Sequence, residues 1–213
     1  VSTKTEKNED GSTTKTTTDK KTGTVTKVTT YPDGDVVTVK TEKDGTVTAE
    51  VKANSEKDVV LPIEPTEDII VVSFTDDNGR TTYTDEFTES DEGIVITANG
   101  NVKISIIQSE RTQYTDVHSN NHWATKSVDF VSALGIMKGI GEDKFAPDAH
   151  LTRAMLVTML YRAEGETEVD ATNSCEDIED NAWYEKAVLW AKQNGIVNGV
   201  TETEFSPDSD ITR

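Results

Sequence analysis

The sequence has little cysteine and few apolar residues. Cys175 is the single cysteine among 213 residues, so an intramolecular disulfide is excluded. Hydrophobic residues make up 33% of the chain and the mean hydropathy is −0.56. These values argue against one large core and favour several small modules. No apolar run is long enough to cross a bilayer as a helix.

The chain also lacks an initiator methionine and a recognisable signal peptide, since it begins VSTKTEKNEDG. We therefore expect a piece of a longer protein, cut at Arg213 inside a repeated unit, without its signal peptide. The cysteine content fits a cytosolic protein, and equally a bacterial surface protein that is stabilised without disulfides.

Positive charge is scarce, because 21 basic residues face 40 acidic ones and the net charge is −19. Such a chain repels phosphate backbones and anionic lipid surfaces, so we expect neither nucleic acid nor a membrane as partner. His118 and His122 stand without the further ligands that zinc needs, so we predict no metal and no cofactor.

No pattern of residues indicates catalysis. The carboxylates at 85–86 and 89–92 lie in polar stretches without nearby aromatic residues, which favours solvated loops over a glycosidase pair. The phrase at 76–79 lacks the spaced ligands of a calcium loop and favours a hairpin turn. Cys175 has no activating neighbours and is predicted to be a small buried residue. We therefore predict that the chain is not an enzyme and has no catalytic residue.

The first 50 residues contain 16 threonines, and glycines recur at 11, 23, 34 and 45 in phrases such as EDGS and PDGD. Asp-Gly phrases between β-forming runs are typical of hairpins. The spacing predicts an up-and-down meander over residues 1–53, with early strands too polar to bury much. A thin stalk, a disordered low-complexity segment and an adhesive surface are the three interpretations that the composition allows.

Residues 54–112 are predicted to form a small β-sheet domain. Its expected hairpins join 69–75 to 80–88 and 93–97 to 102–108 through Asn-Gly turns. The predicted core consists of alternating apolar residues, namely Ile69, Val71, Phe74, Ile94, Ile96, Ile104 and Ile106.

The C-terminal part is a repeat with an offset of about sixty residues. FAPDAHLTR at 145–153 matches FSPDSDITR at 205–213, and Trp123, Gly135 and Gly139 match Trp183, Gly195 and Gly199. Such a period indicates a repeated supersecondary unit. Helical periodicity predicts helices over 123–134 and 183–194, each ended by a glycine, and a third helix capped by Thr152. The expected buried face of that third helix is Leu156, Val157, Leu160 and Tyr161.

The predicted fold class is therefore α+β in separate modules. It combines an all-β N-terminal part, made of the meander and the small β domain, with a C-terminal part of α-helical helix-loop-helix repeats. The expected boundaries are 1–53, 54–112, 113–170 for the first repeat and 171–213 for a truncated second repeat.

Residues 114–213 resemble S-layer homology (SLH) motifs of Gram-positive bacteria. The resemblance rests on Asp116-Val117 and Asp177-Ile178, the Trp that starts each first helix, the Gly-Ile-x-x-Gly turn, Phe-x-Pro-Asp, and Leu/Ile-Thr-Arg. Residues 59–108 have a looser similarity to a module found ahead of such motifs. The resemblance implies a non-catalytic anchor outside the cell that binds a pyruvylated secondary cell-wall polysaccharide, with the β region as spacer.

The resemblance also implies the residues that contact the polymer. They are Trp123, Lys138, Gly139, Asp148, Thr152, Arg153, Trp183, Gly199, Asp208, Thr212 and Arg213. A guanidinium beside a helix N-terminus suits the carboxylate of a pyruvate ketal. The alternatives are structural: the tryptophans as core residues, Arg153 as an ion-pair partner, and Asp148 and Asp208 as loop braces.

Two departures from the motif matter for function. Met155 stands where the motif commonly has Glu or Gln, so the capping box is lost. The second repeat is incomplete, which leads us to expect weak binding by this chain, or self-association that supplies the missing helices. Two other functions stay open: a surface adhesin or S-layer-type structural protein whose β repeats make the contacts, and the accessory tail of a larger extracellular enzyme.

Overall fold

The computed structural model describes residues 1–119 and 122–211. Its strands and helices, in chain order, are β1 Ser2–Lys7, β2 Thr13–Thr18, β3 Val25–Thr30, β4 Val36–Thr41, β5 Val47–Lys52, β6 Lys57–Leu61, β7 Ile69–Asp76, β8 Thr81–Thr84, β9 Thr88–Ser90, β10 Gly93–Ala98, β11 Val102–Ser109, α1 Thr125–Ala133, α2 Arg153–Ala163 and α3 Glu185–Gln193. The chain divides into two compact units, Val1–Arg111 and Thr112–Arg213.

The first unit contains two antiparallel sheets. The larger has eight strands in the order β1-β2-β3-β4-β5-β11-β7-β8, and the smaller has the order β6-β10-β9. The meander predicted for the first five strands is confirmed, because each pairs with the next in unbroken register. β1 is exposed along its whole length, as its polar sequence predicts, whereas β5 alternates buried and partly buried residues.

The turns of the meander are hairpins in which only the glycine has positive φ. In the first, Asn8 N–H donates to Ser12 O at 2.9 Å and Gly11 N–H donates to Asn8 O at 3.1 Å. Gly11 has a φ of 82°, while Asp10 stays out of the left-handed region and its side chain accepts from Ser12 N–H. This is the three-residue hairpin loop with a glycine bulge, and the Asp-Gly phrases repeat it at 31–35 and 42–46, whereas the loop between Asp19 and Thr24 is one residue longer.

The predicted hairpin between 93–97 and 102–108 is wrong. β10 pairs with β6 and β9, whereas β11 pairs with β5 and β7 in the other sheet. The connection over 99–101 is short, but it carries the chain from one sheet to the other. Residues of both sheets then share one hydrophobic core, in which Val51, Leu61, Ile94 and Ile104 are almost fully buried.

The predicted fold class is also wrong. The described part of the chain is mostly β, with eleven strands and three short helices of 9, 11 and 9 residues. The C-terminal unit is therefore not an α-helical module: turns and extended loops occupy most of it. The physical reason is the spacing of its glycine and proline residues, which stop each helix after two to three turns and leave the rest as structured loop.

The predicted helices exist, although they are shorter than expected. Gly135 and Gly195 follow α1 and α3 with φ of 70° and 68°, as predicted for C-terminal stops. Thr152 caps α2, since its side chain accepts from Met155 N–H at 3.3 Å. The predicted buried face of α2 is only partly right, because Val157 is buried whereas Leu160 is 39% exposed.

Candidate functional site

A carboxylate holds each Phe-x-Pro-Asp loop. Asp116 accepts from Phe145 N–H at 3.0 Å and from Ala146 N–H at 2.7 Å. Asp177 does the same in the second repeat, accepting from Phe205 N–H at 2.9 Å and from Ser206 N–H at 2.6 Å. Ala146 and Ser206 have φ of 58° and 57°, a conformation that costs energy for residues other than glycine. The paired hydrogen bonds stabilise that strained turn.

These bonds lower the pKa of both carboxyl groups. For Asp116, the Phe145 N–H is the main cause of the lowered pKa, and the Ala146 N–H adds to it against the opposing effect of burial. For Asp177, burial is the largest single influence and raises the pKa. The N–H groups of Phe205 and Ser206 together outweigh it, so the pKa is lowered overall. Both groups are therefore more easily ionised in the folded protein.

The aromatic residue of each loop is buried in a hydrophobic cluster of the C-terminal unit. Phe145 packs edge-on against Tyr114, with ring centroids 5.3 Å apart. Phe205 is fully buried and belongs to a cluster that includes Cys175 and residues of α2 and α3. Cys175 is buried, as predicted, and Lys192 Nζ lies 2.9 Å from its sulfur.

Arg153 joins the first repeat to the loop of the second. Its Nε donates to Phe205 O and its Nη2 donates to Asn198 O, both at 2.8 Å. The guanidinium also lies over the Phe205 ring, 4.5 Å from the centroid. Arg153 is partly buried and its contacts are with backbone carbonyls, so its present role combines charge-assisted hydrogen bonds with a cation–π contact.

The backbones of residues 151–154 and 207–211 run side by side at this junction. Arg153 N–H donates to Ser209 O, Ala154 N–H to Pro207 O, and Ile211 N–H to Leu151 O, at 2.8–2.9 Å. His150 Nδ1 lies 2.8 Å from Asp210 Oδ2, and these residues occupy equivalent positions in the two repeats, sixty apart. The phrase that recurs in the sequence thus contacts its own copy.

Gly139 and Gly199 are required by the backbone of their loops. A Cβ on Gly199 would lie 2.3 Å from Thr201 O, and one on Gly139 would lie 2.5 Å from Lys144 O. Real Cβ atoms do not approach backbone oxygens so closely, so both loops need glycine at this position. This structural requirement accounts for the repeated Gly-x-x-x-Gly spacing.

The tryptophans that open the two helices lie on the surface. Trp123 is 83% exposed and Trp183 is 61% exposed, so the alternative that they are core residues is wrong. Trp123 adjoins His122, whose ring centroid is 5.5 Å away and whose Nε2 lies 3.5 Å from Asp148 Oδ2. The first repeat therefore brings Trp123 and Asp148 together around one histidine.

The second repeat has a similar exposed group. Trp183 packs edge-on against Tyr184, with ring centroids 5.1 Å apart. Burial raises the pKa of Tyr184, and the nearby carboxylate of Asp208 adds to that effect. Each repeat thus combines an exposed tryptophan, a second ring and the exposed aspartate of its Phe-x-Pro-Asp phrase.

The structure thus places the predicted site residues in two kinds of location. Thr152 and Arg153 lie at the junction with the loop that contains Gly199, while the tryptophans and aspartates form the exposed groups. Gly139 is partly buried in the first loop, and Lys138 beside it is exposed. Thr212 and Arg213 lie outside the described residues.

Three side-chain contacts at the site are not predicted from the sequence, namely those of Asp116, of Asp177 and of the His150–Asp210 pair. The roles of Asp116 and Asp177 were not predicted, although their equivalent positions in the two repeats were a signal. The pairing of His150 with Asp210 had no such signal, because the two positions carry different residues.

Within 1–119 and 122–211, no cluster of three or more His, Cys, Asp or Glu side chains is arranged to hold a metal ion. None of the helices in that part of the chain has the length and apolar character needed to span a membrane.

The repeats match a known family model. The model of the S-layer homology domain matches residues 113–154 and 176–213. Similar proteins include the "Surface-layer 125 kDa protein" of Lysinibacillus sphaericus, 30% identical over 47% of this chain and 8% of its own length. The "Cell surface protein" of Thermoanaerobacter kivui is 30% identical over 47% of this chain and 14% of its own.

An enzyme is also among the similar proteins. The "Endo-1,4-beta-xylanase A" of Thermoanaerobacterium saccharolyticum is 26% identical over 44% of this chain and 8% of its own length. The chain thus corresponds to less than a sixth of the length of these three relatives. No solved structure matches the chain.

Proposed function

We propose that this chain, whose repeats match the S-layer homology domain, anchors a protein at the outer surface of a Gram-positive bacterium, and that its repeats bind a secondary cell-wall polysaccharide. S-layer homology repeats are non-catalytic modules that anchor proteins to the cell wall or surface. The finer proposal concerns the ligand, a polymer with pyruvylated sugars, and the residues that contact it.

The exposed tryptophans carry this proposal. The side chains of Trp123 and Trp183 are 83% and 61% exposed, so they contribute almost nothing to the core. Tryptophan nevertheless occurs at this same position in both repeats. Exposed aromatic residues of this kind are typical of binding surfaces, and a flat indole suits the apolar face of a sugar ring. Hydroxyl groups of the same sugar would find acceptors in the nearby carboxylates of Asp148 and Asp208.

Recognition of an acidic sugar needs positive charge on a chain of net charge −19. Lys138 is exposed and lies next to Gly139 in the first loop. Arg153 uses Nε and Nη2 for the second loop, and among the described residues Nη1 has no protein partner. We assign Nη1 of Arg153 and Lys138 Nζ to the carboxylate of the ligand, so binding would be local and sensitive to salt.

Co-sedimentation with purified Gram-positive cell walls tests this function. We expect the chain to pellet with intact walls, to stay in solution with walls stripped of secondary polymer, and to bind at least tenfold more weakly after Trp123→Ala together with Trp183→Ala. Tyr83→Ala is the matched control, because Tyr83 is an exposed aromatic residue of the β unit. Equal pelleting with stripped walls, or undiminished binding by the double variant, would contradict the proposal.

The whole protein's activity is a separate proposal. We infer that residues 1–213 act as anchor and spacer without catalysis, divided as 1–53, 54–112, 113–170 and 171–213. A role as the accessory tail of a larger enzyme is supported by the xylanase among the relatives. Activity assays of the full-length protein on soluble xylan separate these functions, since only the tail of a xylanase predicts hydrolysis. The same assay without residues 1–213 tests whether they are non-catalytic, because an anchor leaves the turnover of soluble substrate unchanged.

A further inference from the structure

One face of the eight-stranded sheet points away from the hydrophobic core along β2, β3, β4, β5 and β11. Side chains of a strand alternate between its two faces, and those of Val39, Ala49 and Ile104 point into the core. Their chain neighbours therefore lie on the opposite face. The register of the strands places three rows of residues there, which we call the outer face: Thr13, Thr30, Val36 and Lys52; Lys15, Val28, Thr38, Glu50 and Lys103; and Thr17, Thr26, Lys40, Thr48 and Ser105.

The outer face is rich in lysine and hydroxyl groups and poor in carboxylates. Its three rows contain four lysines, seven threonine or serine residues, and Glu50 as the one acidic residue. Acidic residues of the meander lie instead in its turns, as Asp10, Asp33 and Asp44 do. On a chain of net charge −19, the sheet therefore separates a positive face from the carboxylates of its turns.

All four lysines of the outer face are exposed. Lys40 and Lys52 each form an ion pair with a glutamate two positions away in the chain. Such exposed pairs contribute little to stability, so an anionic ligand can take the place of the glutamate. Lys15 and Lys103 form no ion pair with any of the residues that the structure describes. The positive charge of this face is therefore accessible to a ligand.

The spacing of the lysines selects an extended ligand. Neighbouring strands lie about 4.8 Å apart, and residues two positions apart along a strand are about 6.7 Å apart. In this grid, the Cα atom of Lys40 is about 12 Å from that of Lys15 on one side and from that of Lys103 on the other. A single small anion reaches one of these lysines, whereas a polymer with repeated anionic groups contacts all three. The threonine hydroxyls between them both donate to and accept from the hydroxyl groups of a sugar.

The composition of the outer face favours a polysaccharide over a protein or a nucleic acid. Its rows contain no aromatic, methionine or arginine residue, the types that anchor protein interfaces, and no ring to stack on a base. The net charge of the chain also repels the dense charge of a phosphate backbone more than a polymer with widely spaced anions.

We propose that the outer face binds an anionic polysaccharide, whose carboxylate or phosphate groups contact Lys15, Lys40 and Lys103. This surface belongs to the first unit, so the binding goes beyond the function proposed for the repeats and does not depend on it. Each contact is solvent-exposed, and the binding is therefore weak per group and screened by salt.

Biolayer interferometry with the whole chain in solution and an immobilised polymer tests the proposal. Carboxymethyl-dextran and dextran phosphate supply the two anionic groups on one backbone, and unmodified dextran is the neutral comparison. We expect binding to at least one of the two anionic polymers, weakening as salt rises, and none to dextran. The anionic polymer that binds more tightly identifies the preferred group. Lys15→Glu together with Lys103→Glu should weaken this binding about tenfold, because both changes reverse a contacting charge.

Lys20→Glu together with Lys21→Glu is the control, because it makes the same charge change at exposed positions of a turn. This turn variant should bind within about twofold of the unmodified chain, since its lysines lie off the outer face. Trp123→Ala together with Trp183→Ala should also leave binding unchanged, which separates the outer face from the site proposed for the repeats.

Four results would overturn the proposal. They are failure to bind either anionic polymer at low salt, equal binding to unmodified dextran, and a loss of binding in the turn variant or the tryptophan variant as large as in the outer-face variant. The fourth is tighter binding to short duplex DNA than to both anionic dextrans, which would assign the face to nucleic acid instead.

Discussion

The guanidinium of Arg153 donates from Nε to the backbone oxygen of Phe205, 2.8 Å away, and lies over the ring of that same residue. The two residues are 52 positions apart and belong to different repeats. Arg153 is the residue that the resemblance to S-layer homology motifs assigned to the polymer. Its contacts mean that a change at this position affects the junction between the repeats as well as any ligand, so stability and binding must be measured separately.

Arg153→Ala is expected to destabilise the C-terminal unit by about 1.5–3 kcal/mol, the usual contribution of hydrogen bonds to charged groups. Arg153→Lys should cost less, because it keeps the charge but cannot reach both Phe205 O and Asn198 O with one ammonium group. Urea unfolding followed by tryptophan fluorescence measures both, since all three tryptophans lie in this unit. An Ala variant as stable as the unmodified protein would show that the junction does not depend on Arg153.

Phe205→Ala should destabilise the C-terminal unit by about 3–5 kcal/mol, because Phe205 is fully buried and the change leaves a cavity. Trp183→Ala is a suitable comparison in the same repeat. The side chain of Trp183 is 61% exposed, so its loss should change stability by only about 0.5 kcal/mol. The free energy of unfolding, followed by circular dichroism, distinguishes the two variants. Equal losses would mean that Trp183 packs more closely than its exposure indicates.

Gly199→Ala is predicted to distort the second loop, since its methyl group would meet Thr201 O and Glu204 O at 2.3 and 2.6 Å. Gly141→Ala is the control. A Cβ at Gly141 has no atom within 4 Å and its φ lies outside the left-handed region. We expect a melting temperature lowered by several degrees for Gly199→Ala and little changed for Gly141→Ala. The opposite ranking would argue against the geometry described for these loops.

The C-terminal unit should lose stability in acid. The pKa of both Asp116 and Asp177 is lower in the folded protein than its ordinary value near 3.8. A carboxyl group with a depressed folded pKa stabilises the fold above its unfolded pKa. That stabilisation is lost as the pH falls through the folded pKa, so the loss should begin below about pH 4.

Asp177→Asn tests the origin of this pH dependence. The amide keeps the size of the side chain but removes the charge that the N–H groups of Phe205 and Ser206 stabilise. We expect lower stability at pH 7 and a smaller further loss between pH 5 and pH 2, measured as the urea midpoint. Asp208→Asn, at an exposed position of the same loop, is the control. Unchanged pH dependence in Asp177→Asn would exclude Asp177 as the titrating group.

Local signals made much of the β region predictable. The Asp-Gly phrases at 10–11, 33–34 and 44–45 predict hairpins, and their strands do pair in sequence order. A turn signal does not, however, state which strands it joins. The phrase at 98–101 predicts a hairpin between its flanking strands, yet β10 and β11 belong to different sheets. Their partners are selected by apolar faces that meet in the shared core, and those faces are far apart in sequence.

The sequence by itself determined the meander, the repeat of about sixty residues and the family to which the repeats belong, because each depends on residues that are close in the chain or recur at a fixed spacing. Only the tertiary structure decided what the repeated residues contact. It brought Trp123 and Trp183 to the surface, and it turned Arg153 towards the carbonyls of Asn198 and Phe205. Every residue presents a backbone carbonyl, so no sequence pattern distinguishes the ones that Arg153 binds. The packing of α2 against the second repeat decides which carbonyls come within its reach.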